Sequence, residues 1–434
     1  MAKITYMGAG SVGFGKPFIS DVLTRPGLSE ATLMLMDVDQ GQLDVMTTLA
    51  RKIVKQLDVP TKIESTTDRL RALEEADYVV ATVNAPGDRE GARVIERRIS
   101  EKYGVNQGIG GDTGPGGVFL SVRYMPLMLD ICRDMEELCP DAWLLHYAND
   151  TPTVSWALNI ASKIKSVGMC HSVQGTAEKL ARYIGAPHEE IGYWAAGVNH
   201  QAWFLDFEWK GKDAYPLLWQ KMEDPAIYKQ DIVRFEIMKY FGYFPTESST
   251  HHSEFYPYFR KNPELIARFT PGVPNGIESA QKIFSRVAEQ REVLRKEAYS
   301  EGPVEISKTR EYAIGVINAM VTDEPFRFNG NVMNTGLITN LPEGSCVEVP
   351  CLVDNMGVHP CYVGDLPPQC ASLNQNKLAG VALAVKGGLE GDRKAVEQAI
   401  ALDPLTAAMC TLDQIHDMVE ELFEALAEYL TQFR

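Results

Sequence analysis

The 434-residue chain lacks the features that mark membrane proteins and nucleic-acid-binding proteins. It has no apolar run long enough to cross a bilayer, and its first residues, MAKITYMGAGSVG, lack the charged-then-apolar pattern of a signal peptide. It has no basic stripe or tail to neutralise phosphates, and its formal net charge is −16. We therefore expect a cytoplasmic protein that binds neither membranes nor nucleic acids.

The eight cysteines form no CxxC pair and no spacing typical of a small disulfide scaffold. In a reducing compartment most of them should be free core thiols. Cys170 differs because His171 follows it directly. Such a dipeptide is often incidental, but it can also form a transition-metal site or a nucleophile with its own base. No cysteine-protease signature surrounds Cys170, and the residues alone leave these interpretations open.

The first half of the chain alternates strands with helices. Strands are predicted at 3–7, 31–39, 77–83, 142–148 and 166–170, and helices at 16–24 and 118–138. This α/β pattern is typical of a doubly wound, Rossmann-type sheet. We assign residues 1–195 to a NAD-binding domain of this kind.

The second half has longer helices and aromatic-rich loops, without repeats or a long linker. Segments 346–354 and 361–364 resemble strands, and 405–432 is predicted as helix. We therefore expect a C-terminal mixed α+β catalytic domain over 196–434. Its junction with the first domain should be a packed interface, where ligand sites often form.

A dinucleotide fingerprint begins eight residues into the chain. The motif is GxGxxG, formed by Gly8, Gly10 and Gly13 between a predicted strand and a predicted helix. Gly8 should permit a tight turn, Gly10 the close approach of the pyrophosphate, and Gly13 close packing of the helix. Asp37 ends the second strand and should accept hydrogen bonds from the adenosine ribose, which favours NAD over NADP. Asn84 ends a later strand, where the cofactor would cross the sheet edge.

Further polar residues end neighbouring strands or apolar segments, namely Asn149, the Cys170–His171 pair and His200. The carboxyl ends of strands in an α/β sheet converge on one crevice, so these side chains should meet there. The loop 246–259 adds His251 and Tyr256 to a dense group of ionisable and phenolic side chains, which is typical of a functional loop.

At these residues the sequence resembles glycoside hydrolase family 4, the NAD- and metal-dependent glycosidases, and it is most similar to their bacterial α-galactosidase (melibiase) branch. The resemblance runs nearly end to end. It covers GAGSVG, MDVD, GPGG at 114–117, ICRDMEELCPDA, CHSVQGTAE, AAGVNH, the TESS loop with His251, and residues 330–354.

The resemblance implies an unusual mechanism, because this family does not use the ordinary pair of carboxylates. Bound NAD takes a hydride from the sugar's C3 hydroxyl, and the ketone acidifies the C2 proton for removal by a base. The glycosidic oxygen then leaves from C1, water adds, and the hydride returns to C3. NAD is thus recycled rather than consumed.

The resemblance also implies residue roles. Cys170 and His200 would bind a divalent ion, usually Mn²⁺ in this family, that polarises the sugar's oxygens. Asn149 and His251 would contact substrate. His171 stands where the 6-phospho-glycosidase branch carries aspartate, and we expect it to be a substrate contact or the leaving-group acid.

Three departures from the family pattern fall at this site. Residues 149–151 read Asn-Asp-Thr rather than asparagine-proline-methionine, and Asp112 is displaced by one position in its loop. The family tyrosine that is a candidate C2 base aligns with Phe255. We predict that Tyr256, the next residue, takes this role, although the base could also come from elsewhere.

The predicted activity is hydrolysis of a small unphosphorylated α-glycoside, with an α-galactoside as first choice. Alternatives within the family are an α-glucoside, α-glucuronide, α-galacturonide or another C6-modified hexoside. From other classes, a plain NAD-dependent sugar dehydrogenase and a non-catalytic sensor remain as alternatives. By resemblance we expect a homodimer or homotetramer.

Overall fold

One long mixed sheet runs through the protein. The structure is a computed structural model that describes residues 1–273, 276–306 and 309–434. Its strands are β1 Lys3–Met7, β2 Thr32–Met36, β3 Lys62–Thr66, β4 Tyr78–Ala81, β5 Trp143–His146, β6 Lys165–Gly168, β7 Ile191–Val198, β8 Gln201–Trp209, β9 Lys212–Asp213, β10 Phe326–Met333, β11 Cys346–Asp354 and β12 Gly357–Pro360.

Helices cover both faces of this sheet. They are α1 Gly15–Leu23, α2 Gln40–Leu57, α3 Arg69–Leu73, α4 Ala92–Lys102, α5 Gly114–Leu138, α6 Thr151–Ala161, α7 Ser172–Ile184, α8 Tyr215–Met222, α9 Pro225–Tyr228, α10 Ile232–Phe241, α11 Ser249–Phe255, α12 Pro263–Phe269, α13 Gly276–Tyr299, α14 Tyr312–Thr322, α15 Pro368–Glu390, α16 Arg393–Ala401, α17 Pro404–Met409 and α18 Leu412–Ala425.

The first six strands have the order β3-β2-β1-β4-β5-β6 and are all parallel. This is the order of the doubly wound dinucleotide-binding fold, so the predicted fold class is confirmed. Because these strands are parallel, the loops after β1, β4, β5 and β6 lie along one edge of the sheet. These loops carry the glycine motif, Asn84, Asn149 and Cys170.

The sheet continues past β6 through antiparallel strands, in the order β10-β11-β7-β8-β9, with β12 also paired to β11. A single main-chain bridge between Asn331 and Gly168 joins the parallel and antiparallel parts. One apolar core contains residues from both parts, including Val167 and Phe328. The predicted division at residue 195 stays a prediction, and in the structure this position lies inside β7.

Three local predictions were wrong. The predicted strand over 361–364 is displaced, because the tight turn after Asp354 brings Gly357–Pro360 against β11 instead. The predicted helix over 405–432 is broken at Cys410, because Thr411 and Gln414 form a capping box that starts α18. Helix α5 begins at Gly114, four residues earlier than predicted, with Pro115 in its first turn.

Among the described residues, the helices are too short or too polar to cross a membrane.

Candidate active site

The side chains of a cysteine, a histidine and a glutamate meet beyond the end of β6. Cys170 Sγ lies 3.2 Å from His200 Nε2, and the same nitrogen lies 3.8 Å from Glu247 Oε2. Cys170 follows β6, His200 lies in the two-residue connection between β7 and β8, and Glu247 precedes α11. The three donor atoms are close enough to one another to bind a single metal ion. The predicted pairing of Cys170 with His200 is thus present, with Glu247 as an additional donor.

Asp112 fixes the orientation of His200. Its Oδ2 lies 2.8 Å from His200 Nδ1 and 3.5 Å from His251 Nε2. The charges of Asp112, Cys170 and Glu247 raise the pKa of His200 well above its usual range, against the effect of burial. A bound metal would take the place of the proton on Nε2, while Nδ1–H would stay hydrogen-bonded to Asp112. Carboxylate–histidine pairs of this kind support the first ligands in many metal sites.

His251 lies in the same cluster. Its Nδ1 is 3.1 Å from Glu247 Oε1 and 2.7 Å from Ser248 Oγ. Its ring meets that of His200 edge to face at 5.1 Å. The structure therefore places the predicted substrate-binding His251 beside the candidate metal ligands.

The electrostatics of the cluster favour ionised donors. Burial alone would raise the pKa of Asp112, but the imidazoles of His200 and His251 hold it far below its usual range. The pKa of Glu247 is lowered by the same imidazoles against the effect of burial. A thiolate, an imidazole nitrogen and a carboxylate oxygen form a donor set that fits a divalent transition metal.

Two members of the cluster have strained backbones. His200 has a φ of 60° and Glu247 a φ of 70°, the left-handed region that residues with a Cβ rarely adopt. Asp150, after β5, is a third with φ 52°. Such conformations persist where the surrounding structure holds them, and they concentrate at functional sites.

His171 stands at the edge of the cluster. Its side chain is 58% exposed, and its Nδ1 lies 3.3 Å from Glu311 Oε1. The hydrogen bond to Glu311 raises the pKa of His171 to about 9, against the effect of burial. The structure thus separates the roles of the Cys170–His171 pair, since Cys170 faces His200 and His171 faces Glu311.

The glycine motif borders a cavity of about 490 Å³, and Asp37 and Asn84 also line this cavity. Gly8 has a φ of +84°, and a Cβ there would lie 2.7 Å from the Thr82 carbonyl oxygen. A Cβ on Gly10 would lie 2.8 Å from Asp37 Oδ2. Both positions therefore require glycine, and the resulting concave backbone suits a dinucleotide.

Gly13 differs from its prediction, because a Cβ there would have no neighbouring atom within 4 Å. Close packing occurs at Gly15 instead, where a Cβ would lie 2.5 Å from the Ala9 carbonyl oxygen. The reason is that the residues after the turn form further turns, so α1 begins only at Gly15.

Asp37 is nearly buried, and its carboxylate accepts hydrogen bonds from the backbone N–H groups of Gly10 and Asp39, at 2.8 and 2.9 Å. It therefore stabilises the glycine turn as well as lining the cavity.

A smaller cavity of about 140 Å³ shares Ser11 and Asn84 with the cavity at the glycine motif. Its walls include Asn84 and Asn149, the predicted cofactor and substrate contacts, together with Phe14 and Tyr147. Asn149 is exposed in this structure. A sugar bound near Asn149 would therefore lie close to the region where the cofactor is expected.

Tyr256 and Asp112 line the same cavity of about 280 Å³, but the recorded side-chain hydrogen bond of Tyr256 is to Gln201 and not to a candidate metal ligand. Tyr256 is buried, and its hydroxyl accepts a 2.7 Å hydrogen bond from Gln201 Nε2. Burial raises the pKa of Tyr256 far above its usual range. A buried phenol engaged in this way is poorly placed to take a proton from a sugar, which argues against Tyr256 as the C2 base.

Phe255, at the family tyrosine position, instead packs against a lysine. Lys377 Nζ lies 4.4 Å from the centre of the Phe255 ring and donates a 2.9 Å hydrogen bond to the Asn199 carbonyl oxygen. Burial lowers the pKa of Lys377, and the carboxylate of Asp112 opposes that effect. Lys377 therefore anchors the connection that carries His200.

Sequence reasoning missed the roles of Lys377 and Glu311, and it did not assign Asp112 or Glu247 as partners of the histidines. Asp112 lies in a glycine-rich loop and Glu247 in a loop rich in ionisable side chains, and both loops are recognisable in the sequence. Lys377 lies within α15 and Glu311 directly before α14, far along the chain, where no local pattern marks them.

Fold and site together define an α/β protein with a dinucleotide-type sheet and a thiolate–imidazole–carboxylate centre at its strand ends. Models of the Family 4 glycosyl hydrolases match residues 3–186, and models of their C-terminal domain match residues 195–406. The chain belongs to family 4 of the glycosyl hydrolases, as the sequence motifs predicted.

Individual relatives align over nearly the whole chain. An alpha-galactosidase from Bacillus subtilis (strain 168) is 36% identical over all of both chains. An alpha-galactosidase from Rhizobium meliloti (strain 1021) is 33% identical over 99% of this chain and 89% of its own. A 6-phospho-alpha-glucosidase from gut microorganisms, solved in complex with NAD and Mn²⁺, is 20% identical over all of both chains with a TM-score of 0.84, which shows the shared fold.

Proposed function

We propose that the protein hydrolyses α-galactosides with the help of NAD and a divalent metal ion, Mn²⁺ as first choice. The observation that carries this proposal is the Cys170–His200–Glu247 cluster, found at the strand ends of a family 4 chain. The two full-length relatives named alpha-galactosidase support the choice of sugar.

Named residues are available to bind each cofactor. Cys170, His200 and Glu247 would hold the metal, while the Gly8–Gly10 turn and Asn84 would hold the dinucleotide. When bound, NAD supplies a hydride acceptor and donor for the sugar's C3, and the metal supplies a Lewis acid for its oxygens. Asp112 would keep His200 in the tautomer that can bind the metal.

The remaining side chains bind the sugar and move protons. Asn149 and His251 would contact hydroxyls, because both present polar atoms beside the cluster or the adjoining cavity. His171 would donate a proton to the glycosidic oxygen as it leaves C1, since its imidazole is exposed at the edge of the cluster and its raised pKa favours the protonated form.

The charge at the site supports an unphosphorylated substrate. The carboxylates of Asp112 and Glu247 both contact His200, and carboxylates accept hydrogen bonds from sugar hydroxyls but repel a phosphate group. We also propose a cytoplasmic location and a homodimeric or homotetrameric assembly, from resemblance to the family.

A panel of aryl glycosides with NAD, Mn²⁺ and reductant tests the proposal. We expect the highest kcat/KM with the α-galactoside and no accumulation of NADH during turnover. A clear preference for a glucoside, glucuronide or galacturonide would replace the galactoside with that sugar. Steady growth of NADH absorbance would instead indicate a dehydrogenase.

A further inference from the structure

The ring of His171 is not held by its own helix. His171 is the residue before α7, yet its side chain makes no capping hydrogen bond. More than half of the side chain is exposed. The recorded contact of the ring is the 3.3 Å approach of its Nδ1 to Glu311 Oε1, so Nε2 is the nitrogen that Glu311 does not engage.

Glu311 is itself well positioned for this contact. It precedes α14, but its side chain does not cap that helix, so the carboxylate is available to His171. The carbonyl oxygen of Arg310 accepts a 3.1 Å hydrogen bond from Gln174 Nε2, and the Arg310 guanidinium pairs with Glu178. Gln174 and Glu178 both lie on α7, so the start of α14 is tied to the helix that follows His171.

Glu311 also faces the interior of the site. It lies near the hydroxyl of Tyr147, whose pKa is raised well above its usual range by burial and further by the charge of Glu311. Tyr147 lines the cavity that contains Asn84 and Asn149. The carboxylate therefore lies between the imidazole and the wall of the sugar cavity.

We propose that Glu311 is the positioning residue for His171 in cleavage of the glycosidic bond. This inference rests on the proposed function. The carboxylate holds Nδ1–H and directs Nε2–H at the glycosidic oxygen, the arrangement by which a carboxylate orients a catalytic imidazole in other hydrolases.

In this step the Nε2 proton passes to the glycosidic oxygen while the C1–O bond breaks and its electron pair leaves with that oxygen. The pair left at C2 by removal of its proton forms the C1–C2 double bond. His171 is then neutral, and it regains a proton from the water that adds to C1.

The test compares the wild type with Glu311→Gln across α-galactosides whose leaving groups range from 2,4-dinitrophenol to methanol. A good leaving group needs no acid, so Glu311→Gln should change kcat/KM on the dinitrophenyl substrate only a few-fold. General acid catalysis contributes about 10²-fold or more, and we expect a loss of about 10²-fold on the methyl galactoside. Glu311→Asp keeps a carboxylate, so its kcat/KM on the methyl galactoside should lie between those of the wild type and Glu311→Gln.

Glu324→Gln is the matched control, because Glu324 is an exposed glutamate just beyond the other end of α14. Its leaving-group dependence should equal that of the wild type. In the double variant His171→Gln/Glu311→Gln the loss should equal that of His171→Gln alone, because Glu311 acts through His171.

An equal loss of activity on every leaving group would overturn the proposal, as would losses that multiply in the double variant. If Glu311→Gln does not fold, Glu311→Asp and His171→Gln provide the same comparison. The proposed function fails separately if the wild type does not cleave α-galactosides. In that case the leaving-group series is made with the glycoside that the enzyme accepts.

Discussion

At the scale of single residues, the different roles of Cys170 and His171 could be predicted in part from the sequence. Polar residues at strand ends predicted that Cys170 and His200 would meet, and their sulfur and nitrogen atoms lie 3.2 Å apart. No local pattern marks Glu311, because it reaches His171 from a segment 140 positions later in the chain. Contacts between distant segments depend on tertiary packing, which spacing does not encode.

Replacement of Cys170 by serine tests the metal centre. The change removes the thiolate donor, so we expect Mn²⁺ affinity to fall at least about 10-fold, comparable to the loss of a supporting ligand interaction. Electron paramagnetic resonance of free Mn²⁺ measures this affinity directly. Cys361→Ser, at a half-buried cysteine distant in sequence, is the control and should bind Mn²⁺ like the wild type. Unchanged affinity in Cys170→Ser would remove this residue from the metal site.

A second residue-scale prediction concerns stability and pH. Asp403 caps α17, and burial raises the pKa of Asp403 to about 6, against hydrogen bonds that lower it. The folded protein therefore holds this proton more tightly than the unfolded chain, and stability falls as the pH rises from about 4 to about 6. At about 1.4 kcal/mol per pH unit, the loss is at most roughly 3 kcal/mol.

Asp403→Asn should lose this part of the pH dependence while its side-chain oxygen still caps the helix. Urea unfolding between pH 4 and pH 7 measures the difference. Asp392→Asn is a matched control, because Asp392 caps the adjacent α16 at the surface and the pKa of Asp392 is lowered by Lys386. The stability that Asp392 contributes is present at neutral pH and is lost on acidification. This pH dependence is opposite in sign to that of Asp403. Equal slopes in the wild type and Asp403→Asn would contradict the prediction.

At the scale of elements, α11 links two parts of the site. His251 and Glu254 lie one turn apart on this helix, and the buried Glu254 carboxylate accepts hydrogen bonds from the N–H groups of Ile109 and Gly110, at 2.7 and 3.0 Å. The same helix thus contacts Asp112 through His251 and holds the loop that carries Asp112.

Glu254→Gln should therefore loosen the loop and weaken Mn²⁺ binding by about 10-fold, because Asp112 would no longer hold His200 firmly. A glutamine has one acceptor oxygen for two N–H groups. Metal titration measures the effect, with the exposed Glu264→Gln on α12 as control. Wild-type metal affinity in Glu254→Gln would show that the loop does not need this carboxylate.

Element boundaries were predictable where a strand is mostly buried and mostly apolar, as over 346–354, which matches β11. They were wrong where a turn or a cap decides them. The turn after Asp354 sets the register of β12, and the Thr411–Gln414 capping box divides the C-terminal helices. A capping pattern is readable in a sequence, but hydrophobic periodicity alone does not reveal it.

At the scale of the whole molecule, the alternation of strands and helices predicted a doubly wound sheet in the first half, although β3 was missed. The continuation of the sheet through β10, β11 and β7 was not predicted, because these strands come from distant parts of the chain. The core shared by the two parts predicts one cooperative unfolding transition, because unfolding of either part would expose apolar surface of the other. Calorimetry checks this, and two separated transitions would contradict it.

The central claim is that the enzyme cleaves its substrate by removing the proton on C2. Hydrolysis of an aryl α-galactoside in deuterated water, with NAD, Mn²⁺ and reductant, tests it most directly. The account predicts that the released sugar carries deuterium at C2, detected by nuclear magnetic resonance, with no net NADH. Released sugar with no deuterium at C2 would contradict the account.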